Sequence, residues 1–427
     1  MQTTIRKQCM DYDVIIGGGG PAGCAAAVAA ARMGAKTLLI ERTNALGGMS
    51  TVGMVSMMAP YTDREKVIYF SVAREILERY KKRMHLASNA FDWIALSAEE
   101  LKIVYDEIVT ESGVDVLFDS VICDVKTKGE SIESVLVANK SGLTSCQANV
   151  YIDCTGDADI AALAGVPFEV GDADGTVQSA TLCFVISNVD MDATSNLRGK
   201  LQGGKNSKWE QIVAEGKYPL VENHCAPVEL GEGTIIFNAG HINGIQPTDP
   251  ISLSQAIMLG RKIAQQYHEA LKEYWPEYFK DSTLIATAPA LGVRESRRIE
   301  GMYRLTVEDY LERKHFPDEI AWNCYWIDSH GGKLDVRIED VHYKPGESFG
   351  VPFRCLVPIR CNNLLVAGRS ISMERSVLSS VRVMPNCYAT GEAAGIGAAI
   401  AAKHGYSVQD IPVDSVLTEL RKNGAKF

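Results

Sequence analysis

Residues 12–16 (YDVII) form a short apolar run, residues 17–20 are four glycines, and residues 21–35 (PAGCAAAVAAARMGA) carry helical propensity. Residues 36–42 (KTLLIER) read as a second strand, so the chain opens with a β-α-β unit. Helical patterns follow at 66–84 and 97–112, the second with Ser97 as N-cap and Glu100 three positions later as a capping box. Alternating runs at 114–118, 120–125, 131–138 and 142–146 predict a β-meander attached to the first sheet. Residues 150–165 (VYIDCTGDADIAALAG) again read strand, turn, helix. Beyond 166 turn formers increase, with strand candidates at 177–187 and 234–238, a helix at 252–274, a strand at 364–368 and an Ala/Gly-rich helix at 386–404.

Composition narrows the class. A chain of 427 residues suggests two or three domains at roughly 100–200 residues each. With 43 Lys and Arg against 53 Asp and Glu the net charge is −10, which disfavours nucleic acid as a partner. No apolar run is long enough to predict a membrane span, and the first residues lack the apolar segment of a signal peptide, so the expected location is cytoplasmic. The eleven cysteines are scattered and never spaced as CxxC or CxxH, which predicts neither a disulfide framework nor a metal or iron–sulfur site.

Gly18, Gly20 and Gly23 satisfy GxGxxG between strand and helix, and Glu41 follows at the end of the second strand. The first glycine permits the tight turn, the second admits a pyrophosphate, and the third lets helix and strand pack closely. A helix starting at Pro21 and Ala22 would aim free N–H groups and its positive dipole end at phosphates, and Glu41 would accept from a ribose diol. A glycine turn kept for steric reasons is the competing reading; the order of strand, turn, helix, strand and acid favours a dinucleotide. Gly47–Gly48, the turn at 150–156 and residues 363–370 offer further close approaches, which suits FAD better than the shorter reach of NAD.

On these segments, together with LGVRESRRIEGMYRLTVEDYL and SVRVMPNCYATGEAAGIGAAIAA, the chain resembles FAD-dependent oxidoreductases of the glutathione-reductase-like, two-dinucleotide-fold superfamily. More narrowly it resembles the group related to the flavin subunit of heterodisulfide reductase, without that subunit's iron–sulfur cysteines. The resemblance implies an α/β fold with a Rossmann-like FAD-binding domain of parallel sheet and β-meander. That domain would be assembled from 11–165 and 355–405, with a mixed α+β substrate domain inserted over 166–354 and a helical tail at 406–427. It implies non-covalent FAD held by Gly18, Gly20, Pro21, Ala22, Gly23, Glu41, Arg42, Gly47, Gly48 and Met49. Thr155, Gly156, Gly368, Arg369, Met384 and Gly391 would lie near the dinucleotide or flavin. Where many members carry Asp after the glycine matching Gly368, this chain has Arg369.

The residues also restrict the chemistry. The stretch 49–58 (MSTVGMVSMM) has no cysteine, so dithiol relay is excluded; its methionines either line an apolar flavin face or pack the core. No second GxGxxG is present for a pyridine nucleotide. Hydride transfer between a small organic substrate and flavin N5 needs a base for the heteroatom proton, and His330 and His241, in glycine-flanked segments, are the candidates. Arg354, inside an apolar run, must find a carboxylate, either of a ligand or of the protein. Arg294, Arg297 and Arg298 around Glu295 read equally as an anion clamp or an ion-paired strand. The expected function is FAD-dependent oxidation or reduction of a hydroxylated or anionic metabolite such as a sugar or hydroxy acid. An electron-transfer subunit, an RNA-modifying flavoprotein and a flavin monooxygenase are the rivals; electron acceptor and homo-oligomer formation are left open.

Overall fold

The computed structural model describes residues 6–191, 197–331 and 341–426. The N-terminal apolar runs assemble into one sheet from β1 (Arg6–Gly17), β2 (Thr37–Ile40), β3 (Asp115–Leu117), β4 (Val121–Lys128), β5 (Ser131–Asn139) and β6 (Gly142–Asp153), in the order β3-β2-β1-β6-β5-β4. A late strand, Leu364–Val366, pairs in parallel with the C-terminal half of β6, closing the first domain with residues from the far end of the chain. β1, β2, β3 and β6 run parallel, with Val14 opposite both Thr37 and Val150, whereas β4 and β5 form the antiparallel meander.

Successive residues of β1 bury into different cores: Val14 and Ile16 face the helices, and Ile15 faces the opposite layer with Leu38 and Tyr151. A continuous apolar run is what a parallel strand covered on both sides requires. Helix α1 (Pro21–Arg32) crosses from β1 to β2 and lies against the long helix that the sequence predicted at 386–404 and that spans Met384–His404. The two touch backbone to backbone: a Cβ on Gly391 would lie 2.1 Å from the Ala22 carbonyl oxygen, and one on Gly395 2.2 Å from that of Ala26.

Helices α2 (Ser71–Arg83) and α3 (Ala98–Glu111) complete this layer. Ser97 is the N-cap of α3, but the predicted capping box does not form. The Ser97 N–H donates to the Tyr80 hydroxyl at 2.7 Å and Glu100 instead holds Arg83 at 2.8 Å, so both ends of the expected exchange are taken by α2.

The inserted region has its own core. Strands β7 (Phe184–Ser187), β8 (Cys225–Gly231), β9 (Thr234–Ala239) and β10 (Thr283–Thr287) form an antiparallel sheet in the order β8-β9-β7-β10. It is covered by α4 (Pro250–Tyr274), whose N-cap Asp249 accepts from Ile251 and Ser252. Ala256, Gly260, Ile263, Ala264, Tyr267, Ala270 and Leu271 are its buried stripe, the spacing of a helix laid on a sheet. Alternation along β7 then sends Phe184 and Ile186 towards α4 and Val185 towards Met54 and Met57 of the first domain. The predicted strand at 177–187 is shorter than expected because residues 177–183 are held elsewhere: Gln178 N donates to Glu295, while Ala180 and Thr181 bridge Ile242 and Gly292 singly. The insert also differs in extent from 166–354, since Leu305, Tyr310, Ile320, Phe349 and Val351 join the core of the first domain. In the expected tail, helix Val413–Lys422 packs Val416, Leu417 and Leu420 into that same core.

Candidate functional site

The turn after β1 is built almost wholly from backbone. Gly18 has φ +91°, and a Cβ there would sit 2.5 Å from the Cys154 carbonyl oxygen; one on Gly23 would sit 1.8 Å from that of Gly18. Gly20, by contrast, faces open space, and as N-cap of α1 it offers no side-chain acceptor to the first-turn N–H groups. The Gly47–Gly48 loop rides on this turn, its Gly47 N–H donating to Gly19 O at 2.7 Å, and a Cβ on Gly48 would approach Gly20 Cα to 2.9 Å. Buried Glu41 steadies both: Oε2 accepts from Gly19 N at 2.6 Å, and Oε1 accepts from Thr43 N and Oγ1 at 2.8 Å. Asp153 accepts from Thr155 N at 3.0 Å and Ala161 N at 2.9 Å, fixing the second glycine turn beside the first. A small cavity of about 60 Å³ opens here, lined by Gly18, Glu41, Arg42, Ser120, Thr155 and Asp159. Uncapped N–H groups, a bare Gly20 and an adjoining acid fit the diphosphate and ribose of a dinucleotide.

A second cavity, of about 720 Å³, lies between the two cores. Met49, Arg369, Val383 and Met384 line it from the first domain, Ala226 and Asn238 from the inserted sheet, and Thr181 and Cys183 from the segment before it. Its aromatic wall is Trp93, Tyr325 and Trp326, with Tyr325 stacked on Trp326 at 4.1 Å between ring centroids. Arg369 ties the walls together: it donates to the carbonyls of Gly156 and Val293 and pairs with Asp157 at 2.6 Å.

His330 lines this cavity and meets His241 behind it although 89 positions separate them: His241 Nε2 lies 2.8 Å from His330 Nδ1. Each is backed by a carboxylate, His241 Nδ1 by Glu222 Oε1 at 2.7 Å and His330 Nε2 by Asp328 Oδ1 at 3.3 Å. The four groups thus form one chain, Glu222–His241–His330–Asp328. Burial, with Arg294 nearby, holds His330 below its usual imidazole range against the pull of Asp328. The ionised Asp328, held down at about 2 by His330, Arg382 and Arg294 in spite of burial, would stabilise the proton once it arrives.

His224 stacks on His241 at 4.4 Å, and burial and the neighbouring imidazoles push it down to about 4; its Nε2 is buried without a partner. The three histidines bring one ligand nitrogen each within 4.8 Å of one another, a cluster that the search for short Cys/His spacings could not find. They could hold a metal ion by proximity alone, but the Arg294 charge acting on His224 and His330 opposes a cation there.

Other expected residues fall elsewhere. Arg354 clasps Asp318 through two contacts, Nε to Oδ2 at 2.8 Å and Nη2 to Oδ1 at 3.1 Å, and does not line the cavity. Its apolar neighbours in sequence are buried while its own side chain is 40% exposed, so the carboxylate it needed comes from the protein. The Arg294 cluster divides: Arg298 pairs with buried Glu295 at 2.7 Å and Arg297 with Asp159 at 2.9 Å, whereas Arg294 lines the cavity. Gly391 serves the contact with Ala22, where no side chain fits. The sequence reading missed Glu222, His224, Asp328 and Arg382. For Asp328 the signal was its position two residues before His330; nothing local marked the others.

A family profile described as FAD-dependent oxidoreductase matches residues 13–420. Solved structures of similar fold include a geranylgeranyl bacteriochlorophyll reductase-like protein from Thermoplasma acidophilum, 15% identical, with TM-score 0.44 over 97% of this chain and 82% of that one. Anhydrotetracycline hydroxylase OxyS from Streptomyces rimosus is 12% identical, with TM-score 0.44 over 97% of this chain and 66% of that one. L-proline dehydrogenase from P. horikoshii is 12% identical, with TM-score 0.45 over 96% and 98%. Among the described residues no helix is long and apolar enough to cross a membrane.

Proposed function

Because this chain belongs to the FAD-dependent oxidoreductase family, we propose that it oxidises a small hydroxylated organic substrate in the cavity between the two cores, by hydride removal from carbon and proton removal from oxygen. Bound FAD supplies the two-electron acceptor for this chemistry. Gly18, Gly20, Gly23, Glu41, Gly47 and Gly48 would hold its diphosphate and ribose, and Met49, Arg369 and Met384 would border its ring.

The carrying observation is the chain Glu222–His241–His330–Asp328, whose last two members line the cavity. His330 serves as the base for the substrate hydroxyl proton, and the neighbouring Asp328 carboxylate stabilises the imidazolium so formed. His241, anchored through Glu222, orients the His330 ring. The His330 carbonyl accepts from Ser179 N at 2.8 Å, which holds the loop against the inserted domain.

The test is an anaerobic screen of alcohols, sugars and hydroxy acids for bleaching of the protein's yellow band. His330→Asn should keep the FAD content and slow bleaching by about 10²–10⁴-fold, the range for loss of a general base. Arg354→Ala should leave the rate unchanged. Bleaching of His330→Asn at the wild-type rate would remove the assignment. Substrate-dependent oxygen consumption with oxygen found in the product would replace it with a monooxygenase reaction.

A further inference from the structure

The enclosed arginines around the large cavity fall into two sorts. Arg298 and Arg375 reach Glu295 at 2.7 and 3.0 Å, and Arg369 reaches Asp157 at 2.6 Å. Arg294 and Arg382 reach no carboxylate within salt-bridge distance among the described residues. Arg294 spends only Nη1, donating to Ser179 O at 2.7 Å and Thr181 Oγ1 at 2.9 Å. Arg382 donates from Nη2 to the Asp328 carbonyl oxygen at 2.9 Å, and its Nη1 is buried with no partner among the described residues.

Both line the cavity, where Asp328 is the only carboxylate among the lining residues. That carboxylate already faces His330 at 3.3 Å and the Tyr325 hydroxyl at 3.3 Å. Burial and the facing Arg294 charge bring Arg382 down to about 10, so it still carries its charge at neutral pH. Two enclosed guanidinium groups with unspent donors, repelling each other, cost stability that an incoming anion would return. Met49, Val55, Trp93, Trp326, Val383 and Met384 form an apolar and aromatic stretch of the wall that suits the body of a ligand, while Ser56, Gln202, Asn238 and Ser379 are polar places elsewhere on it.

We propose that the substrate is an organic acid with an apolar or unsaturated body, its carboxylate bridging Arg294 and Arg382 so that the reacting carbon lies beside His330. This inference rests on the redox reading of the same cavity and narrows its substrate class. A planar carboxylate matches the fork of donors that a guanidinium presents.

The experiment is calorimetric titration of the FAD-loaded protein with benzoate, benzamide and phenylphosphonate at matched ionic strength. Benzoate should bind, and benzamide, of the same shape without charge, at least tenfold more weakly. Arg382→Met and Arg294→Met should each weaken benzoate at least tenfold while the visible band reports unchanged FAD content. Equal affinity for benzoate and benzamide in the wild type would overturn the proposal, a comparison that holds even if a variant fails to fold. Preference for phenylphosphonate would overturn the carboxylate assignment. Loss of FAD from both variants, with no benzoate binding by the wild type, would assign the arginines to the cofactor instead. Benzoate binding without bleaching by any hydroxy acid would sink the redox reading and leave this one standing; bleaching by neutral alcohols without benzoate binding would do the reverse.

Discussion

The two cavities described above differ in what shapes them. At the small one, about 60 Å³, a glycine turn whose path depends on side chains that are missing meets Glu41, Arg42, Ser120, Thr155 and Asp159. The large one, about 720 Å³, is formed by side chains from the segments 49–59 and 379–384, the inserted sheet and the loop at 325–330. A backbone-built site binds what all members of a family share. A side-chain-built site can change its ligand without disturbing the fold that carries it.

The sharpest way to break this contrast is at the glycines. Gly23→Val should abolish soluble, folded protein, since even its Cβ would overlap the Gly18 carbonyl at 1.8 Å. Gly20→Glu should fold, because nothing lies within 4 Å of a Cβ there, yet should purify colourless. Circular dichroism and the 280 nm to visible absorbance ratio separate the two outcomes. A yellow Gly20→Glu protein would show that the first turn does not hold the cofactor.

A smaller effect tests the helix that joins the two sites. Glu392 is buried in helix Met384–His404, held by the Ser71 hydroxyl and by Asn423 at 3.4 Å, and burial pushes its carboxyl up to about 7. A carboxyl raised in the folded state contributes stability below its ordinary value of 4.5, and that contribution is lost as pH rises towards 7. The loss amounts to about 3 kcal/mol at 1.36 kcal/mol per pH unit. Glu392→Gln should therefore gain in melting temperature relative to wild type between pH 5 and 7.5. A constant difference across that range would show that the carboxyl titrates normally.

The smallest expected effect sharpens the large cavity alone. A base held below the ordinary imidazole range stays neutral in mild acid, so the acid limb of kcat/KM should lie below pH 6.5. Asp328→Asn removes the charge that holds the His330 proton against Arg294 and Arg382, so the limb should move further to acid, with His241 and His224 unaltered beside it. An acid limb at or above pH 6.5 in the wild type would show that His330 is not the group that must be neutral.

The β-α-β opening, the meander, the glycine turns and both long helices were legible in the order of residues, because hydrogen bonding and chain sterics act over a few positions there. Arg354 shows the limit of that reading: its apolar surroundings announced a need for a carboxylate, but only the packed chain chose Asp318, 36 positions away, over a ligand. The same holds for the failed capping box at Ser97, where Tyr80 arrived from another helix. Local sequence by itself determined the glycine turn and the acid that follows it, residues 18–41, while Ser120, Thr155 and Asp159 reached the cradle only through the fold. Only tertiary structure decided the wall of histidines and arginines, since His224, Arg294, Asp328, His330 and Arg382 share a cavity, and Glu222 and His241 reach His330 behind it, through the way the inserted sheet settles on the first domain.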